Sequence, residues 1–313
     1  MITIFTTPKP FRGRVGDIQI NSLKSWKLLH PDIEIIIIGN EKGAAEVAKK
    51  LGLMHIADVE TGEIGMPLAP SIFGLAARYG RHDIQCYVNT DILFLNDLIE
   101  TINRVPFERF LLVGQRWDLD VTELINFDSR NWRTDLLARK NREGVLHPPA
   151  GSDYFVFRRG TLGHMLPMSV GRPRWDNGLI FHARLHRIPV VDCSAVITLI
   201  HQNHPPAYDD LSSGGIGDLE TQKNLELVPT RQQFTLVDAD WIWTETGIAR
   251  KKGWDCFLHN IKRFPVLHPK LEWSSPITEW LLRQLSSLAR APSHMKNFVG
   301  PGRAVLEQGR NEG

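Results

Sequence analysis

The sequence predicts an α/β fold, with a mainly parallel sheet covered by helices on both faces and a helical extension toward the C-terminal end. Three observations carry this expectation. Strand and helix patterns alternate with short connections through the first 115 residues, the arrangement that produces parallel sheets. The run at 34–38 contains four consecutive isoleucines, as in a strand buried on both faces. Beyond residue 115 the pattern is mixed, and after a polar stretch at 204–223 it reads as helical.

Each element has its own signal. Residues 2–6 form a first strand. Asp17 can cap a helix whose inward stripe includes Ile18, Leu23, Trp26 and Leu29, and which stops before Pro31. Gly39-Asn40 ends the strand at 34–38, and 42–51 is a helix closed by Gly52 as a left-handed cap. A strand at 54–59, a helix at 71–79 ended by Gly80, and strands at 84–88 and 110–114 follow. A polar helix is expected at 131–142, a strand at 154–158, a helix at 177–187, and strands at 190–193 and 195–200. Residues 204–223, rich in Pro, Gly, Ser and Asp, read as a long loop of the kind that serves as a lid. A second helical region comes next, with Trp241, Trp243 and Trp254 as its core, and a frayed tail begins at about 291. The expected organisation is a principal domain at 1–205, a lid loop and helical extension packed on it at 206–290, and a flexible tail at 291–313.

Composition narrows the function. The chain has 313 residues, 42% hydrophobic and 23% charged, with a formal net charge of +2. That is ordinary for a soluble globular protein, and so small a charge argues against a nucleic-acid partner. The longest apolar stretches, 33–38 and 84–95, fall short of the roughly 20 residues that cross a bilayer. No signal peptide is expected, because Met1-Ile2-Thr3-Ile4-Phe5 starts directly as a strand. Three scattered cysteines suit neither a disulfide framework nor a zinc cluster, so a cytoplasmic setting fits best. The stretch 280–290 is amphipathic and basic, compatible with a helix packed on the core or with peripheral contact at a membrane surface.

Ligands of open α/β sheets bind beyond the carboxyl ends of the strands. Here those ends carry Thr6-Thr7-Pro8-Lys9, Gly39-Asn40, Asn89-Thr90-Asp91 and Gly114-Gln115-Arg116. Neither a dinucleotide fingerprint nor a P-loop is present. Asp91 stands out because it sits inside the apolar run 84–95, at a strand end, where an uncompensated carboxylate would cost several kcal/mol. A divalent cation bridging it to a diphosphate would supply the compensation, and capping of the next turn is the plainer role. His182 and His186, four apart on one helix, lack the intervening Glu of a metalloprotease signature.

Together, the strand ending in Thr6-Thr7, the sequence Val88-Asn89-Thr90-Asp91, the small-residue strand from Ala150-Gly151-Ser152-Asp153, and Trp175-Asp176-Asn177-Gly178 followed by His201 resemble the GT-A glycosyltransferases. The likeness spans roughly residues 1–205 and implies a GT-A-like nucleotide-binding sheet. It implies that Asp91 binds Mn²⁺ or Mg²⁺, with His201 as a second metal or phosphate contact and His204 as its rival. Asn89 stands where the family has a ribose-binding carboxylate. Asp176 matches the general base of inverting members, and helix capping is its plainer role; Asp153 is the other catalytic candidate. Thr6, Thr7, Lys9, Asn40, Asn89, Asp91 and Gly151 would line the donor site, with Gly151 letting backbone approach the sugar. Lys9, Arg12 and Arg14 could neutralise diphosphate or form a solvated basic loop. Trp117 and Asp118 could meet a sugar, or the indole could pack in the core. The implied donor is a UDP- or GDP-type nucleotide sugar, and the acceptor a glycan, lipid or small-molecule hydroxyl. A sugar-phosphate nucleotidyltransferase and a non-catalytic nucleotide-sugar or glycan-binding protein are the alternatives.

Overall fold

Two kinds of apolar run, continuous and alternating, build the sheet seen in the computed structural model. The structure describes residues 1–95, 97–204, 218–244 and 246–289, with side chains as far as 285. In chain order the elements are β1 (Ile2–Thr6), α1 (Gly13–Lys27), β2 (Glu34–Ile38), α2 (Ala44–Leu51), β3 (Met54–Ile56), α3 (Ala69–Tyr79), β4 (Ile84–Val88) and β5 (Ile92–Phe94). Then come α4 (Asp97–Ile102), β6 (Leu111–Val113), β7 (Trp117–Leu119), α5 (Trp132–Glu143), β8 (Val145–Leu146), β9 (Tyr154–Arg158) and α6 (Trp175–Leu185). The chain continues through β10 (Val190–Asp192), β11 (Leu199–Gln202), α7 (Leu219–Leu227), β12 (Trp241–Thr244), β13 (Gly247–Arg250), α8 (Trp254–Leu267) and α9 (Ser275–Ala289).

Among the described residues, nine strands form one sheet in the order β13-β12-β10-β6-β9-β4-β1-β2-β3. Pairing is parallel except at β9, which runs antiparallel to both β4 and β6, and at the edge strand β13. A smaller sheet, β5-β11-β7-β8, lies apart. Helices cover both faces of the large sheet, as the sequence predicts. On one face Ile2, Ile4, Ile35, Ile37, Cys86 and Val88 cluster with Leu23 and Trp26 of α1 and Ala44 and Ala48 of α2. On the other, Phe5 meets Phe73 of α3 edge-on at 5.1 Å, and Tyr87 meets Trp175 of α6 at 5.0 Å. Period-2 alternation explains the division, since Ile4 and Phe5 are neighbours that point to opposite sides.

Several elements depart from expectation. Asp17 does not cap α1: the helix starts at Gly13, whose φ of +51° makes the turn, with Arg12 at the cap position. The third strand stops at Ile56. Helix α6 starts at Trp175, so Asp176 lies in its first turn. Trp241 and Trp243 sit in a strand, because Trp-Ile-Trp-Thr alternates with period 2 and its aromatic and β-branched residues favour a pleated surface. Trp243 is core, whereas Trp254 is exposed. Because β12 pairs with β10, the chain stays with the sheet well past residue 205. It divides into compact units at Met1–Lys252 and Gly253–Gly313. Most of the expected lid loop, 205–217, lies outside the described residues, as does the expected tail, and Leu219–Leu227 is helical. The C-terminal unit is helical: α8, a 3₁₀ segment at Pro269–Ser274, and α9.

Phe5 joins Phe73, Tyr87 and Phe157 in one ring cluster. Truncation to alanine removes a fully buried ring, and Phe5→Ala is expected to lower stability by about 3–5 kcal/mol in denaturant unfolding.

Candidate functional site

The antiparallel strand β9 decides what gathers at the carboxyl edge of the sheet. Its neighbours β4 and β6 end there, while β9 begins there, so 150–153 lies between their exits. The Asn89 amide N–H continues the β4–β9 ladder by donating to the Asp153 carbonyl at 2.9 Å. The chain then turns through Thr90 into β5, whose start is held by the Trp26 indole N–H donating to the Ile92 carbonyl at 2.9 Å. In the small sheet β11 pairs with β5 on one side and β7 on the other. His201 thereby stands opposite Ile92 and beside Asp118.

This topology converges on Asp91. His204 Nε2 lies 3.0 Å and His201 Nε2 3.8 Å from Asp91 Oδ2. One ligand atom from each of the three residues falls within a 4.8 Å cluster, and no other such group of three occurs among the described residues. Asp91 Oδ1 is buried without a hydrogen-bond partner. Burial alone would raise the Asp91 pKa. The hydrogen bond from His204, with the charges of His201, His204 and Lys9, outweighs burial and holds it at about 2. The Asp91 backbone is fixed as well, for its carbonyl accepts from the Gln202 amide N–H at 3.1 Å. Gln202 is itself fully buried, with its side-chain amide donating to Ile18 O and Ser22 Oγ of α1.

A second constellation adjoins the first. Arg116 donates through Nη1 to both Asp153 oxygens, at 2.8 and 2.7 Å, and through Nε to Asp118 Oδ1 at 2.9 Å. Burial works against the guanidinium charge, yet Asp153 and Asp118 raise its pKa on balance. Asp118 also touches His147 Nδ1 at 2.8 Å and lies 3.2 Å from His201 Nδ1, the latter a charge contact rather than an aligned hydrogen bond. For Asp118, burial again opposes ionisation, and the His147 hydrogen bond and Arg116 prevail and lower its pKa. Asp118 thus links the Arg116 cluster to the imidazole facing Asp91.

Asp176 sits on the same edge in the opposite electrostatic state. Its Oδ2 accepts from the Ser152 N–H at 3.1 Å. Burial, aided by the charge of Asp153, pushes its pKa up to about 6 against hydrogen bonds from the Ser152 and Asn177 backbone. Gly151 lies nearby, and a Cβ there would meet only His147 Nε2, at 3.7 Å. The protein's own packing leaves that space open.

The other predicted residues divide. Asn89 is occupied by the protein: its Nδ2 donates to Asp153 Oδ1 at 2.9 Å, and its Oδ1 accepts from Tyr87 Oη at 3.2 Å. Thr6 is buried and donates to the Val88 carbonyl at 2.6 Å, a sheet-internal role. Thr7 is half-buried, 3.5 Å from Tyr87 Oη. Lys9 and Asn40 are exposed in loops after β1 and β2. Arg14 donates to the Asn203 carbonyl at 3.0 Å, and Arg12 is exposed. Trp117 stacks under Lys140 Nζ at 4.3 Å. His182 Nε2 is committed to the Leu162 carbonyl at 2.6 Å. Sequence reasoning missed His147 and Gln202. His147 follows a polar helix with no motif around it, and Gln202 matters only through its tertiary partners.

No family model matches the chain, and no curated protein matches it. Among solved structures it is similar to glucosyl-3-phosphoglycerate synthase from Mycobacterium tuberculosis in complex with Mn²⁺, UDP and phosphoglyceric acid. There the identity is 15%, the coverage 75% of this chain and 79% of that one, and the TM-score 0.44. It is also similar to S. aureus TarS 1–349 in complex with UDP-GlcNAc, at 11% identity, 76% and 67% coverage, and TM-score 0.44.

The Arg116–Asp153 pair is mostly buried, with side chains 18% and 8% exposed. Arg116→Met strands two carboxylates and is expected to cost about 3–5 kcal/mol in chemical denaturation. Adding Asp153→Asn should return part of that loss, the signature of a coupled pair in a double-mutant cycle.

Proposed function

We propose that this protein is a GT-A-type glycosyltransferase that moves a sugar from a nucleoside diphosphate to a hydroxyl acceptor. The observation that carries the reading is Asp91 itself: a half-buried carboxylate whose buried Oδ1 is unpartnered, facing two imidazoles at the sheet edge where α/β proteins bind ligands. The donor set fits a divalent cation, with Asp91, His201 and His204 as its holders. Two imidazoles suit manganese better than magnesium, which prefers oxygen ligands and retains its water. Such an ion supplies charge stabilisation for a departing nucleoside diphosphate.

The remaining roles belong to the chain. Asp176, with a pKa of about 6, is ionised at neutral pH yet basic enough to take a proton from an acceptor hydroxyl. Arg116 and Asp153 fix the wall from which the Ser152 N–H reaches Asp176. The open space at Gly151 accommodates a sugar against bare backbone. Asn89 orders that wall through Asp153 instead of binding ribose, which leaves Thr7, Lys9 and Asn40 as candidate donor contacts from the loops. A UDP- or GDP-type donor and a cytoplasmic setting belong to the same proposal.

Two experiments test it. Calorimetry should detect UDP or GDP binding that strengthens with Mn²⁺, and Asp91→Ala should abolish at least about tenfold of that enhancement, or about 1.4 kcal/mol. Unchanged binding in the variant would remove the reading. Asp176→Asn should reduce transfer by about 10²–10⁴-fold, and the wild-type rate should fall as pH drops through about 6. Stability moves the other way. A raised carboxyl pKa adds stability fully present below the unfolded value of 3.8 and lost as pH rises through about 6. Asp176→Asn should therefore hold or raise Tm at pH 7.

A further inference from the structure

The carboxyl edge holds a further imidazole, His147, beside the two that face Asp91. It leaves the short strand β8 just before Pro148-Pro149, and its backbone is fixed on both sides. Its N–H donates to the Arg116 carbonyl at 2.9 Å, and its carbonyl accepts from the Gln115 side-chain amide at 2.7 Å. The ring is fixed as well, with Nδ1 2.8 Å from Asp118 Oδ2, yet 29% of the side chain still reaches solvent. The partners of Nδ1 decide which nitrogen carries the proton. Arg116 Nη2, which can only donate, approaches Nδ1 at 3.4 Å. The Asp118 carboxylate, paired with Arg116, can only accept, and it is the nearer of the two. A bare Nδ1 would set lone pair against lone pair at that short contact. The proton therefore sits on Nδ1, and in the neutral ring Nε2 keeps the lone pair.

Nε2 borders the open space at Gly151. Among the described residues nothing hydrogen-bonds to it, and at 3.7 Å it is the atom that a Cβ on Gly151 would meet. Gly151 does not have the left-handed φ that calls for glycine, so the backbone itself would accept a side chain there. What the glycine preserves is room in front of the imidazole. Asp176 holds the other flank of the same segment through the Ser152 N–H at 3.1 Å. We propose that Asp118 and His147 work as a dyad: the carboxylate fixes the ring, and Nε2 accepts a hydrogen bond from a hydroxyl of the donor sugar lying over Gly151. This deepens the glycosyltransferase reading and rests on it. His147 is then a residue that selects the sugar, and Asp118 a positioning residue that sets its tautomer. A sugar without a hydroxyl at that place leaves Nε2 unpaired in a confined site, which is how polar groups discriminate between close analogues.

The test compares nucleotide sugars with bare nucleotides by calorimetry of the full-length protein in Mn²⁺. UDP is set against UDP-glucose and UDP-N-acetylglucosamine, and GDP against GDP-mannose. The unsubstituted protein is expected to bind at least one nucleotide sugar more tightly than its bare nucleotide. His147→Phe keeps a ring but removes its nitrogens, and should reduce that gain about fivefold while bare-nucleotide binding stays unchanged. His147→Gln, whose amide reaches the Nε2 position, should restore part of the gain. Gly151→Ala fills the space with a methyl group and should lower the gain as well. A gain that persists in His147→Phe overturns the inference, as does the absence of any gain for all three nucleotide sugars. A loss shared equally by the bare nucleotide also overturns it, and leaves His147 as a structural link between β7 and β8. Binding of neither UDP nor GDP to the unsubstituted protein would instead remove the glycosyltransferase reading, and the inference with it.

Discussion

The guanidinium of Arg116 compensates two carboxylates from different parts of the chain, Asp153 at the start of β9 and Asp118 in β7. It therefore ties the large sheet to the small one. Asp153 holds Asn89, which leads into Asp91, and Asp118 approaches His201, which faces Asp91 from the other sheet. A cation at 116 sets the separation between the two sides that flank Asp91. Lysine would not substitute, because a single ammonium lacks the fork geometry that meets Asp153 and Asp118 at once.

Two carboxylates near this edge have opposite electrostatic settings. Positive neighbours overcome burial at Asp91 and keep it ionised, while burial prevails at Asp176 and leaves it near neutrality in its proton affinity. Pairs of titratable groups whose surroundings drive them apart are a physical mark of divided chemical labour. Here one group is suited to hold positive charge and the other to exchange a proton. The topology makes the contrast: Asp91 opens toward two histidines on or just beyond β11, and Asp176 sits in the first turn of α6 against backbone N–H groups alone.

Much of this arrangement was readable in the chain because it rests on local pattern. The isoleucine run at 34–38, the capping Gly52 and the Asn89-Thr90-Asp91 strand exit each carry their meaning within a few residues, and the structure places a strand, a left-handed cap and the centre of the cluster there. What was illegible depends on tertiary partners. Asn89 looks like a ligand contact until its amide is found bonded to Asp153, 64 residues away. His204 looked secondary to His201, yet it lies closer to Asp91. The tryptophans at 241 and 243 misled because an aromatic-rich segment reads equally as helix core, and pairing with β10 settled it as strand.

The sheet terminates in two very short strands, β3 with three residues and β13 with four, and Arg250 of β13 folds its guanidinium over the Trp241 ring at 4.9 Å. Brief rims, the one at β13 also carrying a charge, offer little unpaired backbone for another chain to zip onto. Self-assembly by strand addition is thereby disfavoured at both ends, and a broad β-structure stays finite in a crowded solution.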